Sequence, residues 1–567
     1  MLVSEYISRF FRDNGIKHIF GYPGGMVTYL MDALEKTDGI TAHVNYHEQG
    51  AAFAACGYAI TSGKTGAAYA TSGPGATNLV TGIAEAYFDS VPVIFVTGQV
   101  NTYEARGTMK IRQKGFQETD IVSIARPITK LAVTVNNAED IRYYLEKSLY
   151  LANFQRKGPV LLDVPMNVQR TEIEPDKLLG FIPDNAPPSE LNADKIIDMI
   201  NNSCRPCIVV GAGVKQSGTI SDFRRFIAAL KIPTLSSMIA VDAAGNSPYS
   251  FGFIGAYGNR EANFILSKSD LILSIGSRLD CRQTGANREN FAVNSRIIRL
   301  DADVLEFENS IHSDDINLFC DLKNDMKKLA DHAESAEIRD FSQWIEVCSQ
   351  IRDKLSDTIE KLYPQILVEK ISKHVPDGVV ITTDVGQNQV WIPQYFVLKP
   401  NQRILFSGGM GAMGFSLPAA IGAALANNSL TICFVGDGGL MMNLQELQFL
   451  ARERLPLKIC LLNNSALGMI RHFQEMYFDS RFVQTMASGG YSTPNFEKIA
   501  AAFDIPYRRI DNVEEIDSSL FCDNSTEFIE FVLPDTTYVF PKLAVNKPIQ
   551  DQEPPIDREL YRQLDEL

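Results

Sequence analysis

Short, nearly continuous apolar runs alternate along this chain with longer stretches that repeat at helical spacing. The runs are HIFGYPGG, AAYATSGPGATN, PVIFVTGQ and GPVLLDVP in the first 170 residues. CIVVGAG, LILSIGS and RIIRLDAD follow between about 190 and 335, then VVITTDVG, RILFSGG, LTICFVGDGG, KICLLNN and EFIEFVLP between about 355 and 540. Strands apolar on both faces and separated by helices imply parallel sheets with helices on either side. The pattern predicts an α/β protein of three doubly wound parallel-sheet domains, at 1–170, 188–335 and 355–540. A turn-rich linker, IPDNAPPSELN, lies at 182–192, and the proline-rich, acidic stretch 541–567 reads as a surface tail. The first and third domains are alike in kind, each stringing strand-turn-helix units on glycine-rich turns.

Composition narrows the picture. With 53 basic and 68 acidic residues the net charge is −15, which argues against a nucleic-acid-binding face. A local basic pocket for a small anion remains compatible with it. No run of 18 apolar residues occurs, so no membrane span is expected. The start, MLVSEYISRFFRDNG, reads as an amphipathic helix without the basic flank and long apolar core of a secretory signal, so the expected compartment is the cytoplasm. Nine scattered cysteines fit reduced thiols. Cys204 and Cys207 form a CxxC, but no second pair exists and CIVVGAG continues at once as a buried strand, which favours a structural role.

Chemistry concentrates at GDGGLMMNLQELQFLARERLPLKICLLNN, 436–464. A strand, a tight turn and a helix are predicted there. Gly436 and Gly438 let the backbone approach a phosphate, and the new helix offers free N–H groups to it. The helix and the next strand take up the spacing, so Asp437 and Asn464 fall on neighbouring strand ends. An Asp carboxylate, an Asn carbonyl, a backbone carbonyl and diphosphate oxygens suit Mg²⁺.

These motifs resemble the thiamine diphosphate enzymes, and within them the acetolactate (acetohydroxyacid) synthase catalytic subunits, over nearly the whole chain. The resemblance implies that Asp437, the side chain of Asn464 and the carbonyl of Ala466 hold Mg²⁺, and that Gly436, Gly438, Gly439 and Met469 flank the diphosphate. SGGMGAMGF, 407–415, looks like the segment that bends the cofactor, with Gly411 at its aminopyrimidine and Met413 beneath. DVGQNQVW, 384–391, would add Val385, Gly386 and Gln387. In NYHEQGAAFAACGYA, Glu48 stands where the family binds the aminopyrimidine N1′ across a dimer interface and favours the imino tautomer. Gly25 in FGYPGGM, and Phe116 and Gln117 in GFQETD, would face the reaction centre. The implied assembly is a homodimer or homotetramer; the sequence is silent on a regulatory subunit.

The resemblance also implies an FAD that does no net redox chemistry. Matching positions are Arg156, Gly211, Gly213, Gly276, Arg278, Asp280, Asp301 and Asp321, although Gln216 replaces the third glycine of a GxGxxG fingerprint. On the acceptor side Arg282 is kept and would grip a carboxylate. The family's acceptor-selecting Trp is here Phe473, and the Lys after DVP is Met166. The expected reaction is decarboxylation of pyruvate with transfer of the two-carbon unit to a keto acceptor. Transfer to a nucleotide-linked ketosugar, simple decarboxylation and a silent scaffold are the alternatives. Decarboxylation is disfavoured by the absence of an HH pair, and the scaffold by the presence of Glu48, Asp437 and Asn464.

Overall fold

The computed structural model describes residues 1–184, 187–356 and 361–567; positions 185–186 of the expected linker and 357–360 near the expected start of the third domain lie outside the described residues. Three six-stranded parallel sheets organise the chain. The first contains β1 (His18–Gly21), β2 (Thr41–Val44), β3 (Gly66–Ala70), β4 (Val93–Gln99), β5 (Leu131–Thr134) and β6 (Val160–Pro165), in the order β2-β1-β3-β4-β6-β5. The second contains β7 (Pro206–Val210), β8 (Thr234–Ser236), β9 (Ser250–Phe253), β10 (Leu271–Ile275), β11 (Arg296–Asp301) and β12 (Ile316–Phe319), in the order β12-β11-β10-β7-β8-β9. The third contains β13 (Val380–Thr383), β14 (Arg403–Leu405), β15 (Thr431–Gly436), β16 (Leu457–Asn463), β17 (Tyr507–Ile510) and β18 (Glu527–Val532), in the order β14-β13-β15-β16-β18-β17. The central strands β4, β7, β10 and β16 are buried along their whole length, as their uninterrupted apolar runs require.

In each sheet the chain leaves one central strand in one direction and builds the other half in the opposite direction. The reversal falls between β1 and β3, between β7 and β10, and between β13 and β15. Crevices for ligands open at the C-terminal ends of strands that flank such a reversal.

The first and third sheets are joined by two helices packed back to back. Glu48–Ser62 starts at His47, whose Nδ1 accepts the Gln49 N–H at 3.1 Å, and ends at Gly63 with φ +69°. It lies against Ser416–Asn427 so closely that a Cβ on Gly57 would stand 2.1 Å from the Ala419 carbonyl oxygen, and one on Gly422 only 1.9 Å from that of Ala54. Alanine and glycine line this seam because nothing larger fits.

Two expectations need correction. The tail is not a loose extension: Ile549 and Leu564 are buried in the core of the middle domain, and Arg260 donates to the carbonyls of Gln552 and Pro554. The helix after the GDG turn is also broken. A four-residue turn of helix, Asp437–Leu440, is separated from Leu447–Glu453 by a bend and a 3₁₀ turn, Leu444–Glu446. No helix among the described residues is long and apolar enough to cross a membrane.

Candidate active site

The reversal point of the third sheet opens into a cleft of about 1000 Å³, its mouth included. Its wall contains Val385, Gly386, Gln387, Gly411, Met413, Gly436, Asp437, Gly438, Gly439, Asn464, Ala466 and Met469, which gathers the residues expected around a diphosphate and its metal into one place. The register explains the meeting of Asp437 and Asn464. Gly436 pairs with Leu462 on the neighbouring strand, so the two chains leave the sheet side by side within two residues of those positions.

Asp437 is almost fully buried. Its Oδ1 accepts the Gly438 N–H at 2.6 Å and the Tyr491 hydroxyl at 3.0 Å, while Oδ2 is buried with no partner. Burial, partly offset by these donors, pushes its carboxyl up to about 6. The Asn464 amide nitrogen donates to Gln387 Oε1 and Thr537 Oγ1, both at 2.9 Å, and its oxygen accepts the Ala466 N–H at 3.2 Å. Glycine is required around this knot: a Cβ on Gly468 would stand 2.0 Å from Gln387 Oε1.

The opposite wall is organised by Asp384, at the end of β13. It accepts the N–H groups of Gly414 at 3.0 Å and Ser416 at 2.9 Å, and so fixes the turn that carries Gly411 and Met413. Burial pushes Asp384 up to about 6 as well. Neither Asp384 nor Tyr491 stood out in the sequence. Asp384 sits just past a strand end, two residues before Gly386, a signal legible in the sequence; Tyr491 offers none.

The middle domain contributes Arg282 to the cleft, from the short helix Cys281–Thr284. Its guanidinium lies 3.8 Å from the Met238 sulfur and has no carboxylate partner among the described residues. Two residues earlier, Asp280 faces a second cleft between the first and middle domains. That cleft, about 960 Å³ with its mouth, gathers Arg156, Gly211, Gly213, Gly276, Arg278, Asp280, Asp301 and Asp321. It lies at the β7/β10 reversal, where a Cβ on Gly211 would meet the Gly276 carbonyl at 2.1 Å. Burial pushes Asp301 up to about 6. Asp321 and Asp280 each cap a helix, and Arg156 is already paired with Asp303 and Glu306.

The remaining candidates gather elsewhere. Glu48 is buried on the first domain, where its Oε2 accepts the Asn78 amide at 2.9 Å. Gly75 packs against its other oxygen, and Gln117, at φ +62°, packs against Gly73. Gly25 and Phe116 are exposed on the same C-terminal edge of the sheet, Phe116 by 80%. Met166 opens the short helix Met166–Gln169, whose Gln169 amide donates to the Met26 carbonyl at 2.7 Å. None of these first-domain residues lines the cleft around Asp437. Phe473 does not line it either. It sits one turn beyond Met469, nearly half exposed, against Tyr477 and Phe478.

Comparison with known proteins accounts for this arrangement. Residues 1–124, 193–329 and 384–521 match, in turn, the N-terminal TPP binding domain, the central domain and the C-terminal TPP binding domain of thiamine pyrophosphate enzymes. The chain is 35% identical to the acetolactate synthase large subunit of Lactococcus lactis over 556 residues, covering 95% of this chain and 94% of that one. It is 35% identical to the acetolactate synthase isozyme 2 large subunit of Escherichia coli over 526 residues, 91% and 92% of the two chains. A probable acetolactate synthase large subunit of Methanococcus aeolicus is 36% identical over 535 residues, 89% and 87% of the two. The chain belongs to the acetolactate synthase-like thiamine pyrophosphate enzymes. The enzyme therefore depends on thiamine diphosphate, and its three sheets are the three domains of that family.

Proposed function

We propose that this enzyme decarboxylates pyruvate and transfers the two-carbon unit to a second keto acid, forming acetolactate, in sites shared between two copies of the chain. The observation that supports this reading most is the division of the candidate residues. One cleft gathers the diphosphate and metal set with Arg282, and no first-domain residue reaches it. Glu48 of a second copy would complete it. Apolar side chains exposed near both partial sites, Phe116 and Ile111 on one and Met442 and Ile470 on the other, suit such a contact.

The donor set fits the metal. The orphaned Oδ2 of Asp437, the Asn464 oxygen and the Ala466 carbonyl would hold it. Among the described residues no three His, Cys, Asp or Glu side chains converge as metal ligands. A single carboxylate with neutral oxygens suits a hard cation that takes its other ligands from a diphosphate and water, which is Mg²⁺. Thiamine diphosphate, when bound, supplies an acidic carbon and an electron sink for loss of CO₂ from a 2-keto acid. The chain's own residues do the rest. Gln387 and Thr537 hold the Asn464 nitrogen and so orient its oxygen. Asp384 fixes the turn that carries Met413, which would lie against the bound cofactor. Glu48 would hold a proton against the cofactor's ring nitrogen, and Arg282 would orient the acceptor's carboxylate. The glycine-cradled second cleft fits FAD, and Asp301 and Asp321 on its wall would take the ribose hydroxyls. Arg156 is held by two carboxylates, Asp303 and Glu306, and Arg278 only by Asp280 at 3.6 Å, so Arg278 is the better candidate for its diphosphate.

The deciding experiment is pyruvate turnover with thiamine diphosphate and Mg²⁺, with and without an added ketosugar nucleotide, followed by product identification. Acetolactate formed from pyruvate alone is the expected result. CO₂ release that appears only with the sugar would overturn it.

A further inference from the structure

A segment of the third domain grips the residues that lead into Glu48. Glu446, fully buried, accepts the Asn45 amide at 2.9 Å through one carboxylate oxygen and the Tyr46 N–H at 2.9 Å through the other. The His47 N–H also points to it. Gly50, in the first turn of the Glu48 helix, lies so near that a Cβ there would stand 2.5 Å from Glu446 Oε1. The same grip continues on both sides. Asn443 donates to Gln49 Oε1 at 3.2 Å, and Arg452 donates to the Val44 carbonyl at 3.0 Å while lying over the Tyr46 ring.

A buried carboxylate is costly unless donors surround it, and here the donors are the turn from Asn45 to His47. Burial pushes Glu446 up to about 7 despite them. What it fixes is the direction in which the chain leaves β2 and presents the next residue, Glu48. We propose that Glu446 is the positioning residue for Glu48, and that it sets how closely the Glu48 carboxyl meets the ring nitrogen it serves.

The proposal rests on the role given to Glu48 above. Glu446→Gln keeps the volume but sets an NH₂ against backbone donors, and Asn45→Ala removes one donor while leaving the carboxylate intact. The informative readout is hydrogen–deuterium exchange at the reactive carbon of enzyme-bound thiamine diphosphate, measured by rapid quench. Glu446→Gln should slow it about tenfold or more, and Asn45→Ala several-fold, since a displaced proton-transfer group loses efficiency steeply. Thiamine diphosphate affinity should stay within about threefold, because the cofactor's diphosphate and metal contacts are untouched. Without cofactor, amide exchange in the Glu446→Gln protein should quicken at residues 43–50 and not across the third sheet. In a double-mutant cycle the Glu446→Gln effect should vanish once Glu48→Gln is present. Unchanged cofactor exchange in both single variants, or an effect that adds in full to that of Glu48→Gln, would overturn the proposal. Glu48→Gln exchanging at the parental rate would sink the reading of Glu48 itself, an outcome distinct from the other two.

Discussion

The first and third sheets have the same strand order and opposite uses. Numbered from its own first strand, each runs 2-1-3-4-6-5. At the reversal point of the third sheet the strands give way to glycines, among them Gly386 at φ +145° and Gly411 at φ +68°, and the missing side chains leave a cleft. At the matching edge of the first sheet the loops after β1 and β4 carry Tyr22, Pro23 and Phe116, which stand exposed, while Glu48, after β2, is buried. One edge is a receptacle, and under the proposed function the other presents Glu48 to it. The strand order fixes where chemistry sits; the residues that follow each strand decide which half of it that edge performs.

The strongest way to break this comparison is to damage the two edges in separate chains. Glu48→Gln and Asp437→Ala should each abolish turnover, the first by removing proton transfer and the second by removing the carboxylate of the metal site. If one edge serves the other across a dimer, mixing the two inactive proteins after subunit exchange recreates one intact site per mixed dimer. Half of the dimers are mixed and half of their sites are sound, so about a quarter of the parental activity should return. No recovery in chains shown to exchange would mean that each chain completes its own site.

A smaller effect is expected within the receptacle. Gly468→Ala places a Cβ 2.0 Å from Gln387 Oε1 and must disturb the knot that orients Asn464. We expect Mg²⁺ affinity to fall by about 10- to 100-fold, the loss typical when a second-layer partner of a metal ligand is moved. Isothermal titration in the presence of thiamine diphosphate would show it. An unaltered affinity would mean that Gln387 swings aside freely.

How much of this was legible in the chain differs between the two edges. The receptacle was, because Asp437 and Asn464 are spaced by one βαβ unit and its glycines are consecutive or nearly so. The second cleft was legible for the same reason, from the turns after β7 and β10. The supports were not. The bonds from Gly414 to Asp384, Tyr491 to Asp437 and Asn45 to Glu446 span 30, 54 and 401 residues. No local period records a contact of that span. The break after Leu440 escaped for a different reason: the residues on either side of it share a helical pattern, and the bend follows from the packing of Glu446 against the first domain. The folding back of the tail was masked by the prolines and charges around Ile549, although Leu560, Tyr561, Leu564 and Leu567 repeat at helical spacing and all pack on the middle domain.

The seam between the two domains should cost stability and little else. Gly422→Ala sets a Cβ 1.9 Å from the Ala54 carbonyl, a backbone atom that cannot move alone. Overpacking of this kind costs ~1–3 kcal/mol. Urea unfolding should show a lowered midpoint, with the KM for pyruvate unchanged as long as the seam lies apart from the clefts. A raised KM at unchanged stability would tie the seam to the site.

The smallest expected effect lies beside the seam and appears only as a change with pH. His18 and His43, on β1 and β2, are hydrogen-bonded at 2.8 Å and stacked, with His43 buried against Phe20 and Phe449. Burial, with His18 and Arg452 nearby, pushes His43 down to about 3. Because the unfolded histidine takes up a proton near 6.5 and the folded one does not, stability from this group is present at neutral pH and is lost as pH falls below 6.5. Buried acids with raised values, Asp163 at about 7 among them, act in the opposite sense, so the whole-protein profile mixes both. The difference between parent and His43→Phe isolates the histidine. Phenylalanine keeps the stack and removes the titration, so the variant should lose stability relative to the parent at pH 7 and regain up to about 2 kcal/mol of that difference by pH 5. A difference that stays constant from pH 7 to pH 5 would mean that the folded His43 takes up a proton as readily as the unfolded one.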